Sequence, residues 1–303
     1  LPEESVVRVQ KACYGLVDAP LEWYRSVSMF FEQLGFHRCH SDPCCWVLVK
    51  DNRLRGVVSG HVDDFLFSGS TTDPVWMATR KAIMEEFKWS DWEKTKFTQC
   101  GVCVEEHPDG SYSLSQAQYV EELKYINLRA NRRKEKESPT DDWEKSQLRT
   151  LLGGISWHAQ QVAPHLSADV SLLLSQINSS TTETIKQANG LLDQARAMKE
   201  HRMKIHKIPV DQLMLCAWCD VASQNRHDGY STQGIVIGAV PKDLLRGQCV
   251  PVSFMSWHSS KISRVCRSPG ASEAAAAVNA EDLLFFARFQ LAEMLGLDRK
   301  SVV

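Results

Sequence analysis

Apolar residues recur at helical spacing between positions 20 and 34: Trp23, Val27, Phe30, Phe31 and Leu34 share one face, and Gly35 closes the segment. Two strands follow, 44–50 and 54–60, joined around Asp51-Asn52. A second hairpin pairs 55–60 with 65–69 around His61-Val62-Asp63-Asp64. Asp73-Pro74, a cap followed by a first-turn proline, opens a helix reaching about position 87. Segments 97–104 and 111–114 form another hairpin, turned by Pro108-Asp109-Gly110. Ser115-Gln116-Ala117-Gln118 has the pattern of a capping box before a helix carrying Tyr119, Val120, Leu123 and Ile126. The charged stretch 131–143 reads as a linker or exposed crossing. Helices are expected over 144–162, 168–177 and 182–199. Near Pro209 the pattern switches to strands at 213–219, 231–240 and 251–257, then to one long helix over 271–295. This irregular interleaving predicts an α+β chain, not a doubly wound sheet.

The chemistry of the second hairpin stands out. Adjacent carboxylates repel and desolvate badly unless a cation lies between them. A hard divalent ion such as magnesium takes oxygen ligands and often holds substrate phosphates as well. Asp63 and Asp64 therefore form a candidate metal seat for phosphoryl transfer. A solvated surface turn is the bland alternative, since aspartate satisfies turn backbone with its own side chain.

Composition narrows the classes. The chain has 303 residues, 43% of them hydrophobic and 24% charged, enough for two ordinary globular domains. No apolar run reaches membrane-spanning length, and Leu1-Pro2-Glu3-Glu4 is not a signal peptide. The expectation is a segment of something longer, not secreted and without a membrane partner. A net charge of -2 gives no global bias toward nucleic acid, although basic residues cluster at 129–136, 202–207 and 261–267. The ten cysteines point to free thiols in a reducing compartment. Cys100 with Cys103, and Cys216 with Cys219, are CxxC pairs in strand-like runs, where positions i and i+3 face opposite ways. Buried structural thiols are the expectation for both, and for the irregular cluster His37, Cys39, His40, Cys44, Cys45. A zinc or redox protein is the competing expectation.

In order and spacing, several motifs resemble the reverse transcriptase and ribonuclease H region of copia-type retrotransposon Pol polyproteins. Lys11 to Tyr24 resembles K-A-L-Y-G-L-K-Q-A-P-R-x-W-Y, and His61-Val62-Asp63-Asp64 occupies the place of Y-V-D-D. Leu114 to Val120 is similar to L-S-Q-x-x-Y-I, and Leu151 to Trp157 with Ala168-Asp169-Val170 is similar to a segment ending in R-P-D-I. Cys219-Asp220-Val221-Ala222 resembles S-D-A-D-W, Gly229 to Gly234 resembles R-R-S-T-S-G, Pro251 to Lys261 resembles P-I-S-W-x-S-K, and Ser268 to Glu273 stands where the family has S-S-T-E-A-E.

The resemblance implies a partial polymerase palm and thumb at 1–137, a helical thumb or connection at 138–210 and a ribonuclease H-like α/β segment at 211–303. It implies RNA-directed DNA polymerisation by two-metal phosphoryl transfer, with Mg2+ or Mn2+ at Asp63 and Asp64 and a second acidic site at Asp220 and Glu273. Lys11, Tyr14, Gly15, Trp23 and Tyr24 would face nucleotide or nucleic acid. An RNA template, a DNA primer, an RNA–DNA hybrid and other Pol segments are the implied partners, in a cytoplasmic virus-like particle or the nucleus. The family's further polymerase aspartate is expected upstream of Leu1, and a later ribonuclease H aspartate beyond Val303, so an incomplete copy is expected. His61 stands in place of tyrosine, Asp18 in place of glutamine, and Pro269-Gly270 and Ser272 in place of a polar-acidic run. The alternative reading is a catalytically inactive nucleic-acid-binding remnant, in which basic clusters and Trp23, Tyr24 and Phe65 hold a hybrid without chemistry.

Overall fold

The computed structural model describes residues 13, 15–135 and 137–297, and the chain divides into two compact units, 1–92 with 288–303, and 93–287. The expected borders at 137 and 210 both fall inside the second unit. Helices and mainly antiparallel sheets alternate as an α+β arrangement.

In the first unit, α1 (Ala19–Gln33) precedes β1 (Phe36–Arg38), β2 (Cys45–Lys50), β3 (Arg53–His61), β4 (Asp64–Gly69) and α2 (Pro74–Glu86). The four strands lie in sequence order in one antiparallel sheet. Asp51 and Asn52 both take positive φ, 55° and 54°, as the two-residue turn between β2 and β3 requires. Asp73 caps α2, its carboxylate accepting from the Val75 and Trp76 amides at 2.8 and 3.1 Å and from Arg55 at 2.8 Å. Alternation assigns the faces: Trp46, Leu48, Val58 and Phe67 pack with Val27 and Phe31 of α1 and Trp76 and Ile83 of α2 into one core.

The second unit opens on β5 (Lys96–Gln99), β6 (Val102–Glu106) and β7 (Tyr112–Ser115), followed by α3 (Ala117–Glu122), α4 (Asp142–Gln161), α5 (Ser167–Ser175) and α6 (Thr182–Ala197). The strand β8 (Met203–Ile205) joins β7 at the end of the β5–β6–β7 sheet. A three-stranded antiparallel sheet follows, β9 (Leu213–Ala222), β10 (Thr232–Pro241) and β11 (Ser253–Lys261), with β10 central, and then α7 (Pro269–Met294), which belongs to this unit as far as Ala287. Leu148, Leu152, Ile155, Ile185 and Leu192 form the helical core.

Four expectations are corrected here. Segment 97–104 is not one strand: Cys100 and Gly101, at φ 48° and 77°, turn β5 into β6. The capping box at 115–118 does not form, because Ser115 pairs with Cys103 in the sheet and the Gln116 side chain is spent on His158 and the Gly101 carbonyl. The stretch 131–143 is not a free linker. The Arg132 guanidinium donates to both carboxylate oxygens of Glu144, at 3.1 and 2.7 Å, and Thr140 is buried against Ser180. Glu144 and Asp141 form the capping box of α4 instead, with Trp143 already helical. Finally, of the thiols expected to be buried only Cys39 and Cys45 are; Cys44, Cys100, Cys103 and Cys216 are half-buried and Cys219 is exposed.

His158 on α4 is buried, at 5% exposed. Burial lowers its pKa from 6.5 to about 4. The unfolded chain takes up that proton near pH 6.5 and the folded chain near 4, so stability falls as pH drops through that window, by up to about 3 kcal/mol. Burial holds His165 and His258 in the same direction. The urea midpoint should be flat above pH 7 and decline toward pH 4.5, and His158→Gln should remove part of that decline.

Candidate functional site

The β3–β4 hairpin places the aspartates. His61 pairs with Asp64 across the strands, leaving Val62-Asp63 as the two-residue turn. Asp63 is at the tip and Asp64 begins β4, both exposed. Pair alternation puts Gly60 and Phe65 on the core face, so Asp64 and His61 lie on the face turned away from α1 and α2. The close approach of β3 to the Phe65 ring explains Gly60, where a Cβ would lie 2.5 Å from a ring carbon. Val62 carries φ 57°, unusual for a β-branched residue and a local strain of about 1–3 kcal/mol. Its carbonyl accepts from Trp23 Nε1 at 2.8 Å.

A pair of exposed carboxylates can serve a hard divalent cation when both turn toward it, the shell being completed by water and substrate phosphate. Among the described residues, no group of three or more His, Cys, Asp or Glu side chains gathers to hold a metal ion. Asp63 and Asp64 are two exposed carboxylates on this hairpin, and the described cysteine and histidine residues form no zinc ligand set. Cys39 and Cys45 are buried, with a thiol hydrogen bond between them that pushes Cys45 well up.

Of the residues expected to face nucleic acid, Trp23 and Tyr24 make contacts within the fold. The Trp23 ring meets Phe87 edge-on at 5.2 Å and Phe65 at 6.5 Å. Tyr24 donates its hydroxyl to the Pro43 carbonyl at 3.0 Å and accepts from Arg38 at 2.9 Å. Gly15 is exposed at φ 93°, and Lys11 and Tyr14 lie outside the described residues. Most basic clusters are partnered: Arg202 with Glu105, Lys204 with Asp109 and Lys261 with Asp228. Arg264 and Arg267 stay exposed.

The second acidic pair is not brought together. Asp220 pairs with Gly234, and Cys219 with Ile235, in an unbroken register between β9 and β10. The α7 helix packs on the face that carries Gln233, Ile235 and Ile237, through Asn279 and Ala280. Asp220 therefore points to the opposite face. There it lines a cavity of about 280 Å³ with Pro164, Ser167, Asn225, Trp257 and Ser259. At the start of α7, the residue turned to the sheet is Ser272, fully buried against Ser231, while Glu273 is exposed. The neighbours of Asp220 come from separate elements, so no local pattern announces them.

Residues 2–137 match the family model described as reverse transcriptase (RNA-dependent DNA polymerase). Over 283 residues the chain is 25% identical to the retrovirus-related Pol polyprotein from transposon RE1 of Arabidopsis thaliana, covering 88% of this chain and 18% of that relative. Over 120 residues it is 29% identical to the Pol polyprotein from transposon RE2 of the same plant, covering 40% of this chain and 8% of that relative. The chain thus spans less than a fifth of the length of these curated relatives. No solved structure matches.

Proposed function

We propose, from the match of residues 2–137 to the reverse-transcriptase family model and the similarity to two retrotransposon Pol polyproteins, that this chain is a nucleic-acid-binding Pol segment holding part of a polymerase metal seat. The observation that carries this reading is the exposed Asp63-Asp64 hairpin, together with the lack, among the described residues, of any group of three or more His, Cys, Asp or Glu side chains placed to hold a metal ion. The partner is an RNA–DNA hybrid, met by exposed cations such as Arg264 and Arg267. The setting is a virus-like particle in the cytoplasm, or the nucleus. No helix among the described residues is long and apolar enough to cross a membrane. Hybrid binding by this chain should weaken steeply with salt and change little on adding magnesium. Binding that requires magnesium, or none at low salt, would refute the reading.

A second reading is favoured by the ordered turn that presents Asp63. Within a longer Pol chain that supplies a further carboxylate, the same hairpin would hold Mg2+ or Mn2+ for RNA-directed DNA synthesis. The ion would stabilise charge on the transferring phosphate; the chain's part is to present Asp63 and Asp64 on an open face. Primer extension by such a longer chain, compared with a competent relative, tests it. For the ribonuclease H-like segment, the separation of Asp220 from Glu273 across the sheet disfavours a shared metal site. Cleavage of the RNA strand of a hybrid by this chain would overturn that view.

A further inference from the structure

We infer that Trp23 is a positioning residue for the aspartate turn rather than a nucleic-acid contact, an inference that rests on the proposed metal seat. The chain of contact is short. The indole Nε1–H donates to the Val62 carbonyl at 2.8 Å, across a sequence separation of 39 residues. The Val62 carbonyl belongs to the same planar peptide as the Asp63 nitrogen and Cα. Fixing that oxygen fixes the plane from which the Asp63 side chain departs.

The plane needs fixing because Val62 sits at φ 57°, a conformation that its branched Cβ disfavours. The 57% exposure of Val62 means that little packing of its own holds it there. Trp23, by contrast, is held from two sides. Its ring meets Phe87, just past the end of α2, and Phe65, the residue after Asp64, both edge-on. It rides on α1, whose Val27 and Phe31 are anchored in the core under the sheet. The rigid core thus reaches the exposed tip through one N–H. An indole whose donor is spent in this way, and whose ring edges are packed on two phenylalanines, is poorly placed to stack on a base.

The test uses Trp23→Phe, which keeps an aromatic ring and removes the donor, and Val62→Gly, which removes the disfavour for positive φ. Amide exchange is followed at positions 61–65, with thermal midpoints recorded beside it. Losing the bond should speed exchange at 61–65 by about tenfold, the worth of one ordinary hydrogen bond, with exchange in β2 little changed. In the Val62→Gly background the same substitution should have a clearly smaller effect, because glycine holds the turn without the strut. Unchanged exchange at 61–65 in Trp23→Phe, or equal effects in both backgrounds, would overturn the inference.

Mn2+ affinity, read from the free-ion paramagnetic resonance signal, gives the functional arm. Trp23→Phe should weaken binding several-fold, in a way that added Val62→Gly partly rescues. A merely structural tryptophan would lower the thermal midpoint without this coupling to position 62. If Asp63→Asn leaves Mn2+ binding as it is in the parent chain, the metal seat itself fails, and the exchange data still decide whether Trp23 holds the turn.

Discussion

Asp63→Asn should reduce magnesium-dependent primer extension by on the order of 10³-fold in a Pol chain that contains this segment and polymerises. The same substitution should move the thermal midpoint of the present chain very little. Both expectations come from one geometry. Asp63 is the exposed second residue of a two-residue turn, so its carboxylate supports no buried neighbour. A carboxylate that leaves the fold untouched and yet holds a cation beside a transferring phosphate contributes mainly in the transition state. Replacing it by an isosteric amide removes the charge, keeps the shape, and lowers kcat more than it raises the nucleotide KM. Asp64→Asn should act in the same direction on extension. Equal rates for Asp63→Asn and the parent would remove the hairpin from the chemistry, and a large loss of stability would assign Asp63 a structural role instead.

The parts of the fold that were legible in sequence are those written in local signals. Asp51-Asn52 tolerates positive φ at both turn positions, and the hairpin appeared where expected. Asp73-Pro74 is a self-contained helix start, and its cap bonds formed. The Asp63-Asp64 tip followed from two apolar strands around a short polar turn. Errors arose where a distant partner outbid a local one. Gln116 could have helped to start α3 but is committed to His158, 42 residues on. The run 131–143 is polar and looks solvated, yet Arg132 finds Glu144 and orders it. Cys100 is no turn former; only Gly101 beside it hinted at the break between β5 and β6.

The acidic pair of the last third shows a limit of a different kind. Asp220 on a strand and Glu273 on a helix were each placed on the right type of element. Whether they meet depends on the parity of the strand and on the angular phase of the helix, two quantities that a motif does not encode. In this chain Gln233, Ile235 and Ile237 claim the helix-facing side of β10, which commits Asp220 to the other. Ser272 and Ala276 claim the sheet-facing side of α7, which leaves Glu273 outside.

Trp76→Ala should destabilise the chain by about 3–5 kcal/mol, the usual cost of emptying a large aromatic site in a core. Trp76 is 2% exposed and lies across the Gly56–Gly69 pair, the end of the β3–β4 ladder far from the aspartates. A Cβ on Gly56 would come within 2.2 Å of the indole, and one on Gly69 within 2.4 Å, so the two glycines are the seat of the ring. Gly56→Ala alone should therefore cost about 1–3 kcal/mol by overpacking. The decisive comparison is the double variant. With the indole gone, the added methyl group at position 56 fills space instead of clashing, so Gly56→Ala in the Trp76→Ala background should be close to neutral or mildly stabilising. Urea denaturation of the parent, both single variants and the double variant gives the coupling directly. Simple additivity would mean that the ring does not rest on the glycine pair. A coupling of about 1 kcal/mol or more would establish that α2 is clamped to the hairpin at the Gly56–Gly69 pair.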